Sequence, residues 1–550
     1  MPNIAVHLAE MARLQPSRPA VICARGRDAQ GAVTYEQLSF AGLERMSNRL
    51  ARALEGAGIG RGVRAALMVP PGLDFFTLSF ALFKAGAVPV LIDPGIGLAS
   101  LKGCLAHARP DAFIGIPRAH AARVLFGWAR GSVRINVTLG RQWFWGGDTL
   151  TGLRDRVPAD RPFAAIEPAP EETAAVLFTS GSTGTPKGVV YTHQIFGAQV
   201  DHIRRLYGIE PGETDLATFP LFALFGPALG MTAVVPEMDA SRPASADPET
   251  LIGAIRKFGT TNMFGSPALI DRVGRHGEAH GIKLPSLRRV ISASAPVAAR
   301  VLERFAAMLP PGAQVFTPYG ATECLPVASI GSDEILGETR LRTEEGAGVC
   351  IGRPLPGVET RIIRIVDGAI ALWDDALELR DGEIGEIAVK AAHATRDYFD
   401  LPAATALAKI RDPANGGFYH RMGDVGYFDG RGRLWFCGRK AHRVVTPQGT
   451  RFTIPCEGVF NRSPRVFRSA LVGVRRNGAM EPVLCVELEP AAARDSKEAI
   501  RAELRELGSR HEATRHIEIF LFHPAFPVDV RHNAKIFREK LAVWARKQLR

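Results

Sequence analysis

Between residues 40 and 116 the chain alternates two hydrophobic rhythms. FAGLERMSNRLARAL, LDFFTLSFALFKAG and LASLKGCLAHA carry apolar residues at helical spacing, whereas VRAALMV, AVPVLI and DAFIGI are short, nearly continuous apolar runs. Short apolar runs separated by helices of this length predict right-handed βαβ crossovers and a parallel sheet covered on both faces. After the Pro- and Glu-containing connection Ile166 to Thr173 come a further strand, AAVLFTS, a Gly-rich loop, and Phe196, Val200, Ile203 and Leu206 at helical spacing. Strand, loop and helix in that order are where a phosphate-binding loop is expected.

Beyond about residue 350 the pattern becomes β-rich and turn-punctuated, as in GEIGEIAVKAA and DVGYFDGRGRLWFCGR, where DG and RG mark tight turns. From residue 440 two strands (RSALVGV, EPVLCVELE), a helix (AIRAELREL), a strand (HIEIFLF) and a basic last helix predict a small α+β unit.

A chain of 550 residues exceeds one ordinary domain, and 46% hydrophobic with 23% charged residues exclude wholesale disorder. Lys plus Arg number 68 against 56 Asp plus Glu, so the net charge of +12 raises the question of an anionic partner. Arginines are scattered, with no long basic run interleaved with aromatics, which argues against nucleic acid and leaves phosphorylated small molecules and peripheral membrane contact open.

Seven widely spaced cysteines without a CxxC pair support neither a zinc site nor a disulfide framework, and a reducing cytoplasm is the expected compartment. The opening MPNIAVHLAEMARLQ lacks signal-peptide features. Leu216 to Pro236 holds 21 residues without a charge, but Pro220, Pro227 and Pro236 interrupt it. It reads as ordinary core or as the wall of an apolar pocket rather than a membrane span.

The densest chemistry lies in FTSGSTGTPKG. Gly181, Gly184 and Gly188 let backbone N–H groups turn toward one anion, Thr179, Ser180, Ser182, Thr183 and Thr185 add hydroxyls, and Lys187 adds a positive charge. Pro186 stands where a Walker A loop needs its second glycine, so the loop is of another phosphate-binding kind. His276 and His280 stand four apart without an HExxH, and the neighbouring Gly277 and Gly281 suggest a fraying surface segment rather than a metal site. No GxSxG elbow anchors a hydrolase triad.

This loop resembles the signature of the adenylate-forming superfamily, which includes acyl-CoA synthetases, luciferases and peptide-synthetase adenylation domains. FKAGAVPVLI, SASAP (Ser292 to Pro296), YGATE (Tyr319 to Glu323), YHRMGDVGYFDGRGRLWFCGR and FPVDVRHNAKI follow in the family's order. The resemblance implies an ATP site contacted by the loop residues, by Ala295, and by Tyr319, Gly320, Ala321 and Thr322. Glu323 would hold Mg²⁺, Asp424 the ribose hydroxyls, and Arg439 ribose or phosphate oxygens. Lys535 and Glu323 are the implied catalytic residues. A carboxylate approaching an α-phosphate needs a cation between the two anions, worth roughly 4 kcal/mol at about 4 Å and an effective dielectric of about 20. The implied fold is α/β: a large region, residues 1–439, of layered α/β sheets plus a β-rich subdomain, and a small mobile α+β domain, residues 440–550, carrying Lys535.

Three positions depart from the common family pattern. Phe222 in FPLFALFG, taken as acyl-substrate contact, is followed by Ala223 where many acyl-CoA synthetases place His; Ala441 occupies the hinge; Ala534 precedes Lys535 in place of Gly. These leave adenylation intact and put CoA-thioester formation in question. Within the superfamily the opening NIAVHLAEMA, VLIDPGIG and FPVDVRHNAKI resemble the β-lactone synthetase branch of bacterial long-chain olefin biosynthesis. That branch implies a 2-alkyl-3-hydroxy acid as substrate and neighbouring olefin-pathway enzymes as complex partners. A medium- or long-chain fatty acyl-CoA ligase acting on a fatty acid, and a non-catalytic nucleotide-binding scaffold, are the alternative readings.

Overall fold

The computed structural model describes residues 3–93, 96–158, 161–179, 186–476, 478–529 and 536–549, and only the backbone of Thr179 and Leu221. The expected parallel sheet is present. Its strands run in the order Asp148–Thr149, Ile135–Thr138, Ala112–Gly115, Arg64–Met68, Val88–Ile92, Thr173–Thr179 and Lys187–Thr192, and all pairs are parallel except the last. That last pair corrects the order strand, loop, helix. A second strand follows the Gly-rich loop, with Phe178 opposite Gly188, before the helix His193–Tyr207 begins. KGVVYT buries Gly188, Val189 and Tyr191 and is β-branched, so it completes the sheet edge. The helix N-terminus is capped instead by the Thr192 hydroxyl, which accepts from the Ile195 amide at 3.3 Å.

A nine-stranded sheet forms the second layer. It has a parallel centre from Pro19–Arg27 to Gln314–Ala321 and antiparallel strands at both edges. Helices Phe40–Gly56 and Leu73–Ala85 pack between the two layers, and their apolar faces merge with both sheets in one continuous core. Leu73–Ala85 is buried nearly all round, which explains why its sequence shows so little polar face. Its one buried cation, Lys84, survives because Nζ donates to Glu44 Oε2 (2.7 Å), Ser47 Oγ (2.8 Å) and Asn48 Oδ1 (2.7 Å). Burial lowers its pKa to about 8 against the pull of Glu44.

The β-rich region forms a six-stranded antiparallel sheet that includes Gly385–Lys390, Phe418–Phe428 and Leu434–Arg439. Residues beyond 440 build a hairpin, Val444–Thr446 with Gly449–Arg451, and a three-stranded sheet of Val466–Arg476, Ala479–Leu488 and Ile519–Phe522. Two hydrophobic cores here draw only on residues from Val444 onward. This unit leans on the rest through Arg300, which pairs with Glu489 at 2.9 Å, and through helix Thr453–Phe460. A Cβ at Gly458 of that helix would sit 2.4 Å from the Thr343 carbonyl, so only glycine permits this approach.

Two smaller expectations can be followed in the structure. Gly277 does not break the segment: helix Pro267–Ala279 runs through it, its bare face seats the Met308 side chain, and His280 is the C-cap, its imidazole stacked on that of His276 at 4.2 Å. The uncharged stretch from Leu216 serves both of its expected roles. Leu216, Ala217 and Thr232–Val235 are sheet core, while Pro220–Ala223 and Phe225–Leu229 are short helices beside a cavity. No helix among the described residues is long and apolar enough to cross a membrane, and all seven cysteines are buried and unpaired.

Candidate active site

A cavity of about 490 Å³ lies where the two large sheets meet the antiparallel sheet. Its size suits a small-molecule ligand. A more open depression of about 650 Å³ holds none of the motif residues, and three of its lining charges pair as Arg396–Glu171 (2.6 Å) and Lys390–Asp412 (2.8 Å). The chemistry therefore points to the first cavity, which has a charged end and an aromatic arm.

At the charged end Lys187, the first residue of its strand, faces the cavity with Nζ 4.8 Å from the centre of the Tyr398 ring. The Tyr398 hydroxyl donates to Glu323 Oε1 at 2.7 Å. The backbone around Glu323 is pinned as well: its carbonyl accepts from the Thr395 amide at 2.8 Å, and the Thr322 carbonyl accepts from the Tyr191 hydroxyl at 2.5 Å. Burial and the nearby Glu323 charge push the Tyr398 hydroxyl well above the usual tyrosine range, so it stays a donor at all physiological pH values. A carboxylate held at one oxygen and open to the cavity, opposite a lysine, suits a divalent cation carried by a polyphosphate. Among the described residues no group of three acidic, His or Cys side chains could cage a metal alone.

Behind the lining, Asp424 is buried beside Tyr319 and Arg439. Tyr319 donates to Asp424 Oδ2 at 2.8 Å, and Arg439 Nη1 lies 3.0 Å from Oδ1. The second contact is an ion pair without hydrogen-bond alignment, so Oδ1 has no hydrogen-bond donor among the described residues. Burial raises the Asp424 pKa against the lowering effect of Arg439, while the Asp424 charge raises that of Arg439. An unsatisfied buried carboxylate oxygen costs about 1–3 kcal/mol, which a ligand hydroxyl would recover. The neighbouring Gly423, at φ +67°, lines the cavity and leaves open space where a side chain would stand. These residues fit a ribose and its phosphates.

The aromatic arm is built from Phe80, Phe83, Phe196, Phe219, Phe222 and Phe225. The Phe222 ring packs at a tilt against Phe264 at 4.6 Å and Phe219 at 5.3 Å, and the adjoining Ala223 is buried. The N-terminal segment closes the arm: Ile4 lines the cavity, its amide donates to His193 Nδ1 at 3.2 Å, and Asn3 Nδ2 donates to the Phe83 carbonyl at 2.7 Å.

The structure thus gathers Lys187, Gly320, Ala321, Thr322, Glu323, Arg439 and Phe222 on one cavity, with Tyr319 and Asp424 directly behind it. Ala295 is not on the lining; Ala293 and Ser294 are. Ser180, Gly181, Ser182, Thr183, Gly184 and Lys535 lie outside the described residues, as does the side chain of Thr179. Sequence reasoning passed over Tyr398, His420 and the buried cluster in which Glu386 Oε2 meets Arg421 (2.6 Å) and Lys440 (3.1 Å). His420 and Arg421 stand inside YHRMGD and could have been flagged there; nothing around Tyr398 marks it. Burial holds His420 neutral, and its Nδ1 has no partner among the described residues.

Residues 8–399 match the family described as AMP-binding enzyme. The chain is 50% identical to an olefin beta-lactone synthetase of Xanthomonas campestris pv. campestris, over 99% of this chain and 98% of that one. It is also 50% identical to an olefin beta-lactone synthetase of Stenotrophomonas maltophilia, over 100% and 98%. Among solved structures, the amide bond synthetase McbA from Marinactinospora thermotolerans superposes with a TM-score of 0.80 at 25% identity, covering 98% of this chain and 99% of that one.

Proposed function

From the premise that the chain belongs to the AMP-binding enzyme family and is an AMP-forming ligase, we propose that it is an ATP-dependent β-lactone synthetase acting on a 2-alkyl-3-hydroxyalkanoic acid. The observation that carries this reading is a single cavity in which the charged end runs into an arm dominated by phenylalanines. Enzymes of this family activate carboxylic acids, and an acid with alkyl substituents fits that division.

In this reading the substrate carboxylate attacks the α-phosphorus of ATP and pyrophosphate leaves. The 3-hydroxyl then attacks the acyl carbonyl, the four-membered ring closes and AMP departs. Asp424 and Arg439 hold the ribose, with Tyr319 orienting Asp424. Lys187 and the Gly-rich loop hold phosphate oxygens, and Lys535, brought in by a mobile C-terminal domain of residues 440–550, screens the two anions during attack. Mg²⁺ would neutralise phosphate charge, held on the protein side by Glu323. The aromatic arm keeps the chains apolar and the hydroxyl close to the carbonyl, so that orientation supplies the rate of ring closure. Ala223 and Ala441, at positions where thioester-forming relatives carry polar groups, agree with an acceptor inside the substrate.

The test is NMR product analysis after incubating the protein with ATP, Mg²⁺ and a synthetic 2-alkyl-3-hydroxy acid, with and without CoA. β-Lactone and AMP without CoA are expected. Acyl-CoA formed only with CoA would move the protein to the fatty acyl-CoA ligases, and absence of any ATP–pyrophosphate exchange would leave only a scaffold.

A further inference from the structure

From Ala112 to Gly147 the chain has no acidic residue and five arginines, Arg118, Arg123, Arg130, Arg134 and Arg141. Among the described residues, every exposed Phe or Trp falls in this same segment: Phe126, Trp143 and Phe144, beside exposed Val124 and Leu125. Leu125 and Phe144 are 76% and 68% exposed, far more than a large apolar side chain needs for packing.

The fold sets the helix and the loop of this segment side by side. Strands Ala112–Gly115 and Ile135–Thr138 pair in parallel near the edge of the seven-stranded sheet. Helix Pro117–Leu125 follows the first, and the loop carrying Trp143 and Phe144 follows the second. The Trp145 ring stacks on His120 at 5.1 Å, and Arg123 reaches Asn136 at 3.0 Å, so helix and loop are clamped side by side. Trp143 and Phe144 flank the anchored Trp145 ring at 5.3 and 5.2 Å. Arg118 and Leu125, seven residues apart, share one helical face. Arg118, Arg130, Arg134 and Arg141 are exposed and have no side-chain hydrogen bond or ion pair among the described residues. The acids at either end of the segment are already occupied, Asp111 by Arg64 (3.5 Å) and Asp148 by Arg156 (2.6 Å).

We propose that this face docks on an anionic phospholipid bilayer, with Trp143, Phe144, Leu125 and Phe126 entering the interfacial layer and the four free arginines on headgroup phosphates. Aromatic and aliphatic tips ringed by cations without acids match the chemistry of an anionic membrane surface on both counts. Patch and cavity draw on the same sheet: Asp93 follows the strand Val88–Ile92, three strands from Ile135–Thr138, which the loop with Trp143 follows. A doubly alkylated acid, if the proposed function holds, dissolves in bilayer rather than in water, and docking would bring the cavity to it. The surface itself does not depend on that reading.

The experiment is vesicle co-sedimentation of the full chain at physiological salt, with phosphatidylcholine alone and with phosphatidylcholine containing roughly one-third phosphatidylglycerol. Four proteins are compared: the wild type, Trp143→Ser with Phe144→Ser, glutamine at Arg118, Arg130, Arg134 and Arg141, and a charge-matched control with glutamine at exposed Arg242, Arg256, Arg288 and Arg494. Circular dichroism and ATP–pyrophosphate exchange establish that each is folded. Binding to the anionic vesicles is expected, weakened at least about tenfold by either patch variant and much less by the control. Equal loss in the control would reduce the effect to bulk charge and overturn the proposal. So would failure to bind, or a self-association of the wild type, seen by light scattering, that the Trp143/Phe144 variant abolishes. Because vesicles contain no acid substrate, failure here and failure of the lactone assay are separate outcomes.

Discussion

The two ends of the cavity are built by different rules. The charged end takes most of its residues from short contiguous motifs, YGATE, RMGD and CGR, and orients its carboxylates by directional contacts, as in Tyr398 to Glu323 and Tyr319 to Asp424. The aromatic arm collects single phenylalanines from positions 80 to 225 and joins most of them through ring contacts. Directional polar contacts tolerate little variation, whereas apolar packing accepts volume-conserving change. The activation chemistry should therefore be rigid and shared with relatives, and acid selectivity should be adjustable.

The hardest test of this contrast is at the charged end. Lys535→Ala and Glu323→Gln should each lower kcat/KM for pyrophosphate release by about 100- to 1,000-fold with the fold unchanged. Near-normal adenylation in either would remove that residue from the mechanism. Asp424→Asn comes next. Exchanging a charged acceptor for a neutral one should cost about 2 kcal/mol of nucleotide binding, seen as a KM for ATP raised about thirtyfold, while the KM for the acid hardly moves. A change confined to the acid would place Asp424 on the wrong side of the cavity.

Acid probes the arm through His193, which accepts the Ile4 amide while neutral. Burial lowers His193, His120 and His393 to about 4, so the folded protein binds fewer protons than the unfolded chain between pH 6.5 and 4. Stability is complete above about pH 6.5 and falls as pH drops toward 4, by up to about 1.4 kcal/mol per pH unit for each histidine. Thermal melts at pH 7.5, 6 and 5 should show Tm descending, and a flat profile would contradict neutral burial. The smallest effect is expected from Phe222→Ala. Partial loss of one ring wall is worth about 1 kcal/mol, giving a KM for long-chain acids raised about fivefold, with short acids and ATP unaffected. An equal loss for ATP would mean that the two ends are not separable.

The crossover sheet from residue 40 to 116 was legible because buried parallel strands and their helices differ in both length and period. The segment after Lys187 was not. Six residues with β-branched character were overshadowed by the helical spacing from Phe196 onward, and the strand exists because Val176 and Phe178 offer it a partner edge. The surface from residue 118 to 145 was missed for a similar reason: its helix and its aromatic loop meet only because two parallel strands set them side by side.

Sequence alone determined the chemistry of activation, because phosphate, ribose and metal contacts require particular atoms at short spacing and leave motifs. Tertiary structure alone decided that Tyr398 steadies Glu323, that six phenylalanines form one arm, and that Ile4 closes it. These contacts join residues up to about 200 positions apart, and their apolar members are selected by shape and burial, which no local pattern records.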